Sequence, residues 1–233
     1  PCVAATHDTD TNGFQVGQPA SPGIKVIAEM GVPFAYFDEI SAKEGVTQAT
    51  NSGLPTAPAG LKRFTFGPFP FGAPANDVEL YDRTAFNVAG KDGDVFSLAS
   101  MLVITNDGFW GVDSVALPAA GEAAYFSDGY DAGTEENTEL APHLDDGGSI
   151  LGHVQLPGDC GGDCNANGPD PNGNVGVPTD PVGVISRHQG IMEVGDLTFD
   201  NHGWDVQSPV GKIILRRIEP RVDTRCLEGA ACP

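Results

Sequence analysis

Two strand-like runs between residues 98 and 139 each lead into a loop that carries carboxylates. Asp107 follows a run with β-branched residues at 103–105, a composition that favours a β-strand. Asp131 and Glu135 lie four residues apart in the segment DAGTE, which follows a second apolar run. Such a chain is predicted to form sheets whose strand ends bring acidic loops together.

Carboxylates brought together in this way repel one another by roughly several kcal/mol at low dielectric unless a cation lies among them. Hard oxygen ligands favour calcium over softer metals. Asp and Gly are also the residues that favour tight turns, so the pattern by itself fits either a metal site or ordinary turn chemistry.

Four segments of the chain, taken in order, resemble the spondin N-terminal domain in its bacterial-type form. The segments are ATHDTDTNGFQVGQPASPGIKVIAEMG at residues 5–31, LASMLVITNDGFWGVDS at 98–114, YDAGTEEN at 130–137 and PVGKIILRRI at 209–218. The DAGTE and GQPASPG elements are the most specific. The resemblance implies an extracellular β-sandwich of C2-like architecture that holds one calcium ion and occurs in matrix and adhesion proteins.

The resemblance also implies that Asp107, Asp131 and Glu135 are the calcium ligands, with Glu135 in place of an aspartate that is usual in animal members. Glutamate can still bind the ion through its longer side chain. Gly108 departs from the tryptophan that commonly follows the first aspartate. Asp113 matches the family too, and either a turn or a hydrogen bond beside the site would suit it.

The expected fold class is all-β, an antiparallel β-sandwich with one or two short helices near the N-terminus and long loops. A helix is predicted at residues 21–30, where Ser21 can cap, Pro22 suits the first turn and Gly31 ends it. A second helix is predicted at 34–43. Strands are predicted at residues 84–88, 95–105 and 212–218, with weaker signals at 151–156 and 182–186.

Residues 1–220 are predicted to form one domain with an insertion at 158–179, followed by a cysteine-containing tail at 221–233. Members of the spondin N-terminal family begin with a strand before the ATHD element, which here follows Pro1 by only a few residues. A sandwich without this strand would expose an edge, and exposed edges recruit partners.

The formal net charge is -20, from 32 acidic and 12 basic residues. This charge argues against a nucleic-acid partner, because phosphate binding needs a basic surface, and it disfavours bare anionic membranes. It suits divalent-cation binding or attraction to basic partners. Since the sequence has no long apolar run, it predicts no transmembrane segment, and we expect a secreted or cell-surface protein.

Five cysteines are present, and four of them fall in close pairs. Cys160 lies near Cys164, and Cys226 lies near Cys232, spacings that suit disulfides in an oxidising compartment. Their connectivity stays open, because sequence alone does not fix it. Cys2 is the odd one: it could pair with the tail, leave another thiol reduced, or bond to a neighbouring chain.

A possible second calcium loop lies in the insertion, where Asp163, Asn165 and Asn167 follow the alternating pattern that opens an EF-hand loop. The bidentate glutamate expected at the end of such a loop is missing, because Asn174 stands there. A disulfide-pinned loop rich in turns is the alternative.

His188 and His202 lie near each other in the sequence and beside Trp204, and they could bind a borderline metal such as copper or zinc. Loop histidines more commonly make hydrogen bonds, which is the alternative for both. The motifs of serine hydrolases, phosphate-binding loops and zinc proteases do not occur in the sequence. We therefore predict that the protein is not an enzyme.

Together these features predict a Ca²⁺-binding β-sandwich that acts in adhesion, matrix binding or extracellular assembly, with a protein or glycan surface or copies of itself as partner. Two alternatives stay open. The missing strand and Cys2 suggest a structural subunit that polymerises through strand donation or an intermolecular disulfide. The histidines His188 and His202 suggest a surface protein that binds a transition metal.

Overall fold

The computed structural model describes residues 2–52, 63–65, 79–81, 85–102, 105–140, 143, 179–202 and 204–218, with backbone alone for 52, 63–65, 79–81, 201 and 202. Its elements, in chain order, are β1 (Cys2–His7), α1 (Pro22–Met30), α2 (Phe34–Ser41), β2 (Val46–Ser52), β3 (Arg63–Thr65), β4 (Glu79–Tyr81), β5 (Val95–Met101), β6 (Gly108–Ala116), β7 (Glu122–Ser127), β8 (Gly129–Asp131), β9 (Ser186–Arg187), α3 (Phe199–His202) and β10 (Gly211–Arg216).

The described strands pair in an antiparallel manner throughout. The largest sheet has six strands in the order β2-β1-β5-β6-β8-β9. β7 and β10 form a second sheet, in which Gly211 lies opposite Ser127 and Arg216 lies opposite Glu122. The short strands β3 and β4 pair with each other. The fold is therefore mostly antiparallel sheet, with two helices near the N-terminus as predicted.

β1 is an interior strand of the large sheet, with β2 on one side and β5 on the other. It contains the first three residues of the ATHD element, and all six of its residues are buried. An exposed edge is therefore not found at β1, because β2 and β5 cover both of its sides. The sequence CVAATH does not predict a strand by its pattern, because burial of both faces removes the alternation of apolar and polar residues.

α1 begins and ends where the sequence predicts. The Ser21 hydroxyl accepts a hydrogen bond from the Ile24 amide at 3.2 Å, and Gly31 ends the helix with a φ of 64°. This left-handed conformation favours glycine at the C-terminal end of a helix. A carboxylate oxygen of Glu39 in α2 accepts a hydrogen bond from the Gly23 amide at 2.8 Å and so joins the two helices. No helix within the described ranges is long and apolar enough to cross a membrane.

Core clusters lie on both faces of the large sheet. Ile24 of α1 and Tyr36 of α2 pack in one cluster with Val3 of β1. Ile213 of β10 packs in the other cluster with Ala4 of the same strand β1. Because neighbouring residues of a strand point to opposite faces, the helices cover one face of the sheet and the β7–β10 pair covers the other.

Two strand predictions are confirmed in outline. β5 and β10 correspond to the strands predicted at 95–105 and 212–218, and both end earlier than expected. In the weaker region at 182–186, only Ser186 belongs to a strand. Irregular backbone around Gly183, with a φ of 65°, limits regular pairing there.

The strand predicted at 84–88 is wrong, because residues 85–88 lie outside any strand. Phe86 and Val88 instead pack against the core cluster on the β10 face of the large sheet. Burial in a loop explains their apolar character without strand pairing. The strand predicted at 151–156 lies outside the described residues.

Asp113 lies within β6 and connects the segment after β1 to the sheet. Its Oδ1 accepts hydrogen bonds from the Gly13 amide at 2.6 Å and the Phe14 amide at 3.3 Å. The hydroxyl of Ser97 in β5 donates to the same oxygen at 2.8 Å. Asp113 therefore lies within a strand and accepts hydrogen bonds that join neighbouring segments. The alternative prediction that Asp113 forms a turn is wrong.

The buried Ser97 hydroxyl also lies 2.7 Å from Nε2 of His7 and accepts a hydrogen bond from the Ser114 amide at 2.9 Å. Nδ1 of His7 lies 2.7 Å from the Asp8 carbonyl oxygen, which can only accept, so Nδ1 carries a proton. The Ser97 hydroxyl lies between the His7 ring and the Asp113 carboxylate. A serine hydrolase needs the histidine between the serine and the acid. Here the serine lies between the histidine and the acid, and the cluster links β1, β5 and β6 through hydrogen bonds.

Ser97→Ala is expected to lower the free energy of unfolding by about 1–3 kcal/mol, because the buried His7 and the partly buried Asp113 and Ser114 lose their shared partner. Chemical denaturation followed by circular dichroism measures the change. Ser41→Ala, at an exposed position that ends α2, is the control and is expected to stay within about 0.5 kcal/mol of the parent protein. Equal small effects for both variants would contradict the role given to the Ser97 hydroxyl.

Candidate metal site

Asp107 is fully buried in a turn between β5 and β6 that Thr105 closes. The Thr105 hydroxyl donates to the Leu102 carbonyl at 2.7 Å and accepts from the Gly108 amide at 2.9 Å. A side chain at position 108 would collide with this hydroxyl. The closed turn explains why glycine stands where a tryptophan was expected from the resemblance.

The two carboxylate oxygens of Asp107 have unequal surroundings. Oδ2 accepts three hydrogen bonds, from the Thr134 amide at 2.6 Å, the Thr134 hydroxyl at 3.1 Å and the Glu135 amide at 3.1 Å. Oδ1 is buried and has no hydrogen-bond partner. A buried acceptor of this kind costs free energy unless a ligand, ion or proton satisfies it.

Asp131 ends β8 and is brought to Asp107 by the pairing of β6 with β8, in which Gly108 lies opposite Asp131. The two oxygens of Asp131 are both partly satisfied. Oδ1 accepts a hydrogen bond from the Gly133 amide at 2.7 Å, and Oδ2 accepts one from the side-chain amide of Asn137. The Asp131 carboxylate is thus held in a fixed orientation at the end of its strand.

Gly133 shapes the turn that presents these groups. It has a φ of 69°, in the left-handed region that favours glycine. A Cβ atom there would also collide with the carbonyl oxygen of Val184. The glycine of DAGTE is therefore required by both backbone conformation and space.

Burial, and next the nearby Asp131 carboxylate, raises the pKa of Asp107 from 3.8 to about 6. Hydrogen bonds from Thr134 and Glu135 act in the opposite direction and are too weak to cancel burial. The repulsion between carboxylates expected from the sequence is thus present for Asp107 and Asp131. A bound cation would favour the ionised form of both side chains.

Glu135 is also buried, and its amide is one of the donors to Asp107. The structure therefore brings all three predicted ligands into one region of the fold. Within the described ranges, however, no three His, Cys, Asp or Glu side chains are arranged as a group that could hold a metal ion as they stand. The donor chemistry, hard oxygens with one buried oxygen of Asp107 unpaired, fits calcium.

Two further polar residues that sequence reasoning missed support this region. The side chain of Asn106 accepts a hydrogen bond from the Glu139 amide at 3.2 Å and donates one to the His143 carbonyl at 3.1 Å. The Glu139 carboxylate accepts hydrogen bonds from the Met192 amide at 2.5 Å and the Val194 amide at 3.0 Å. No spacing signal distinguishes these two residues from ordinary polar loop residues.

His188 makes a hydrogen bond, as expected of a loop histidine: its Nδ1 accepts from the Gly190 amide at 3.0 Å. A neutral ring that accepts at Nδ1 carries its proton on Nε2, which disfavours metal binding through Nε2. Burial lowers the pKa of His188, although the carboxylates of Asp131 and Glu139 oppose this shift. The side chain of His202, the proposed partner in copper or zinc binding, lies outside the described atoms.

Several predicted sites lie outside the residues that the structure describes. They are the possible second calcium loop with Asp163, Asn165 and Asn167, and the possible disulfide residues Cys160, Cys164, Cys226 and Cys232. Cys2 is described and is buried, with 6% of its surface exposed. A disulfide from Cys2 to a neighbouring chain would therefore require β1 to move.

No protein-family model and no curated protein matches this chain. The resemblance to the spondin N-terminal domain therefore rests on the quoted motifs alone.

Asp107→Asn is expected to become more stable relative to the parent calcium-free protein as pH rises toward 7, because the amide removes the buried charge that the parent acquires over this range. With a folded pKa of about 6 against 3.8, neutral Asp107 stabilises the protein fully below about pH 4, and this contribution is lost as pH rises to about 6. The difference in unfolding free energy between variant and parent should grow over this interval. Denaturation in chelator at several pH values measures it, and a constant difference would contradict the raised pKa.

Proposed function

We propose that this protein is a calcium-binding module in which Asp107, Asp131 and Glu135 hold one structural ion. The buried, unpartnered Oδ1 of Asp107 is the observation that carries the proposal. Its carboxylate is desolvated and lies beside a second one, an arrangement that destabilises the fold near neutral pH unless a cation is present. Calcium accepts several oxygen ligands in flexible geometry, which suits this donor set.

The chain's own residues would orient the ligands. The amides of Thr134 and Glu135 fix Oδ2 of Asp107, which leaves Oδ1 for the ion. Gly133 and Asn137 hold Asp131. Small adjustments of the 131–137 turn would bring Glu135 to the same ion, which would supply positive charge and remove the repulsion.

We also propose that the architecture is a C2-like β-sandwich. Support comes from the β7–β10 pair, whose Ile213 and Leu215 pack with Leu98 and Val112 of the large sheet. The helices α1 and α2 on the opposite face would be an addition to such a sandwich. The loops between β5 and β6 and after β8 would then lie at one end, where the ion would fix them.

Adhesion, matrix binding or extracellular assembly is the role that we propose for this module, at a secreted or cell-surface location and without catalysis. The net charge of -20 supports basic protein surfaces or glycans loaded with cations as partners, and opposes nucleic acid. The structure does not favour self-assembly through a donated first strand or a Cys2 disulfide, because β1 is an interior strand and Cys2 is buried.

Calcium is expected to raise the free energy of unfolding by about 2.7 kcal/mol when its free concentration is a hundredfold above Kd. Thermal unfolding with calcium and with chelator measures the effect, and elemental analysis identifies the bound metal. Asp131→Asn should abolish the response by removing a ligand charge.

Asp38→Asn is the matched control, because Asp38 is an exposed residue of α2 and lies far from the DAGTE segment in the sequence. This variant should respond to calcium as the parent does. An unfolding temperature of the parent protein that does not change with calcium would refute the proposed function.

A further inference from the structure

His188 is a buried residue whose ring has one satisfied and one unsatisfied nitrogen. Only 5% of its surface is exposed, and Nε2 has no hydrogen-bond partner. Nδ1 accepts from the Gly190 amide at 3.0 Å. Since Nδ1 accepts, the neutral ring carries its proton on Nε2, and the unsatisfied atom is a donor. A buried donor of this kind needs an acceptor, which a water, a bound ligand or a change of conformation can supply.

The backbone places this donor beside the proposed calcium ligand Asp131. The amide of His188 donates to the Gly129 carbonyl at 2.9 Å, so the histidine lies opposite Gly129 on the edge of β8. Gly129 and Asp131 are two residues apart in β8, and their side-chain positions therefore share one face. The imidazole of His188 also interacts electrostatically with the carboxylates of Asp131 and Glu139.

Gly129 lies close to His188 and Trp204. A Cβ atom there would lie 3.7 Å from the Cβ of His188 and 3.6 Å from Cζ2 of Trp204. The imidazole and indole rings contact each other with centroids 5.1 Å apart. Trp204 thus packs against the imidazole ring of His188.

The Asp131 carboxylate has the capacity for another donor. Its two oxygens offer about four acceptor positions, and Gly133 and Asn137 use two of them. One further position would serve a cation, and one remains. The chain therefore holds a spare acceptor and a spare donor on the same face of two paired strands.

We propose that His188 is a positioning residue of the calcium site, and that its Nε2–H donates to the Asp131 carboxylate when the ion is bound. This inference rests on the proposed function. The hydrogen bond would orient Asp131 toward the ion and satisfy the buried donor in the same step. His188 makes no bond to the metal, in contrast to the copper or zinc role considered from the sequence.

The test compares His188→Gln, whose side-chain amide keeps a donor near the position of Nε2, with His188→Leu, which keeps bulk and removes the donor. Isothermal titration with calcium chloride gives Kd for each. Loss of an outer hydrogen bond to a metal ligand commonly weakens binding by about 10- to 100-fold. His188→Leu should show such a loss, and His188→Gln should restore affinity to within about threefold of the parent protein.

A second measurement on the parent protein does not depend on the folding of variants. Nitrogen-15 NMR of the imidazole should show the proton on Nε2 with and without calcium, and calcium should move the Nε2–H resonance downfield. A proton on Nδ1, or a resonance that calcium leaves unchanged, would overturn the inference.

The outcomes separate the two proposals. If the parent protein binds calcium and His188→Leu binds it equally well, the positioning role is wrong and the calcium site stands. If the parent protein does not bind calcium, both are wrong.

Discussion

The carboxylate of Asp107, which has hydrogen-bond partners on only one of its two oxygens, is the constraint on which the candidate site depends. Asp107 is fully buried, with three donors on one oxygen and none on the other. Burying an ionised carboxylate is costly, and the nearby Asp131 adds repulsion, so the pKa of Asp107 rises to about 6. The protein retains this charge at neutral pH only at a cost to stability, and a cation at Oδ1 is the simplest means of offsetting that cost.

The rest of the region fixes the geometry around that oxygen. Pairing of β6 with β8 sets Asp131 opposite Gly108, one residue from Asp107. Glycine at positions 108 and 133 is required by close contacts with Thr105 and Val184, so the two turns can approach each other. The polar residues further out, such as Asn106 and Glu139, hold neighbouring loops through backbone amides. Because these restraints are hydrogen bonds to backbone, they favour a fixed orientation of the carboxylates, which suits the ion that we propose to bind there.

Sequence reasoning succeeded where the signal is local. Ser21 and Gly31 fix the ends of α1 through side-chain capping and a left-handed backbone, and both effects act within a few residues. It failed for β1, because a strand buried on both faces has no alternation to detect. It also failed at 84–88, where apolar residues fill a core cluster from a loop.

The candidate site was only partly predictable for a related physical reason. The acidic motif placed Asp107, Asp131 and Glu135 in one region, but the donors that determine their state are largely backbone amides of Thr134 and Gly133. Backbone amides are present at every position except proline, so no side-chain pattern identifies them. The buried ring of His188 was likewise visible in the sequence only as a loop histidine, since its place beside Asp131 depends on the pairing of β8 with β9.

A crystal structure determined from crystals grown at neutral pH in millimolar calcium chloride tests the central claim most directly. The predicted result is a calcium ion within about 2.3–2.6 Å of Oδ1 of Asp107, with Asp131 and Glu135 on the same ion. Electron density that contains no ion at this oxygen, under conditions that saturate calcium sites elsewhere on the surface, would contradict it.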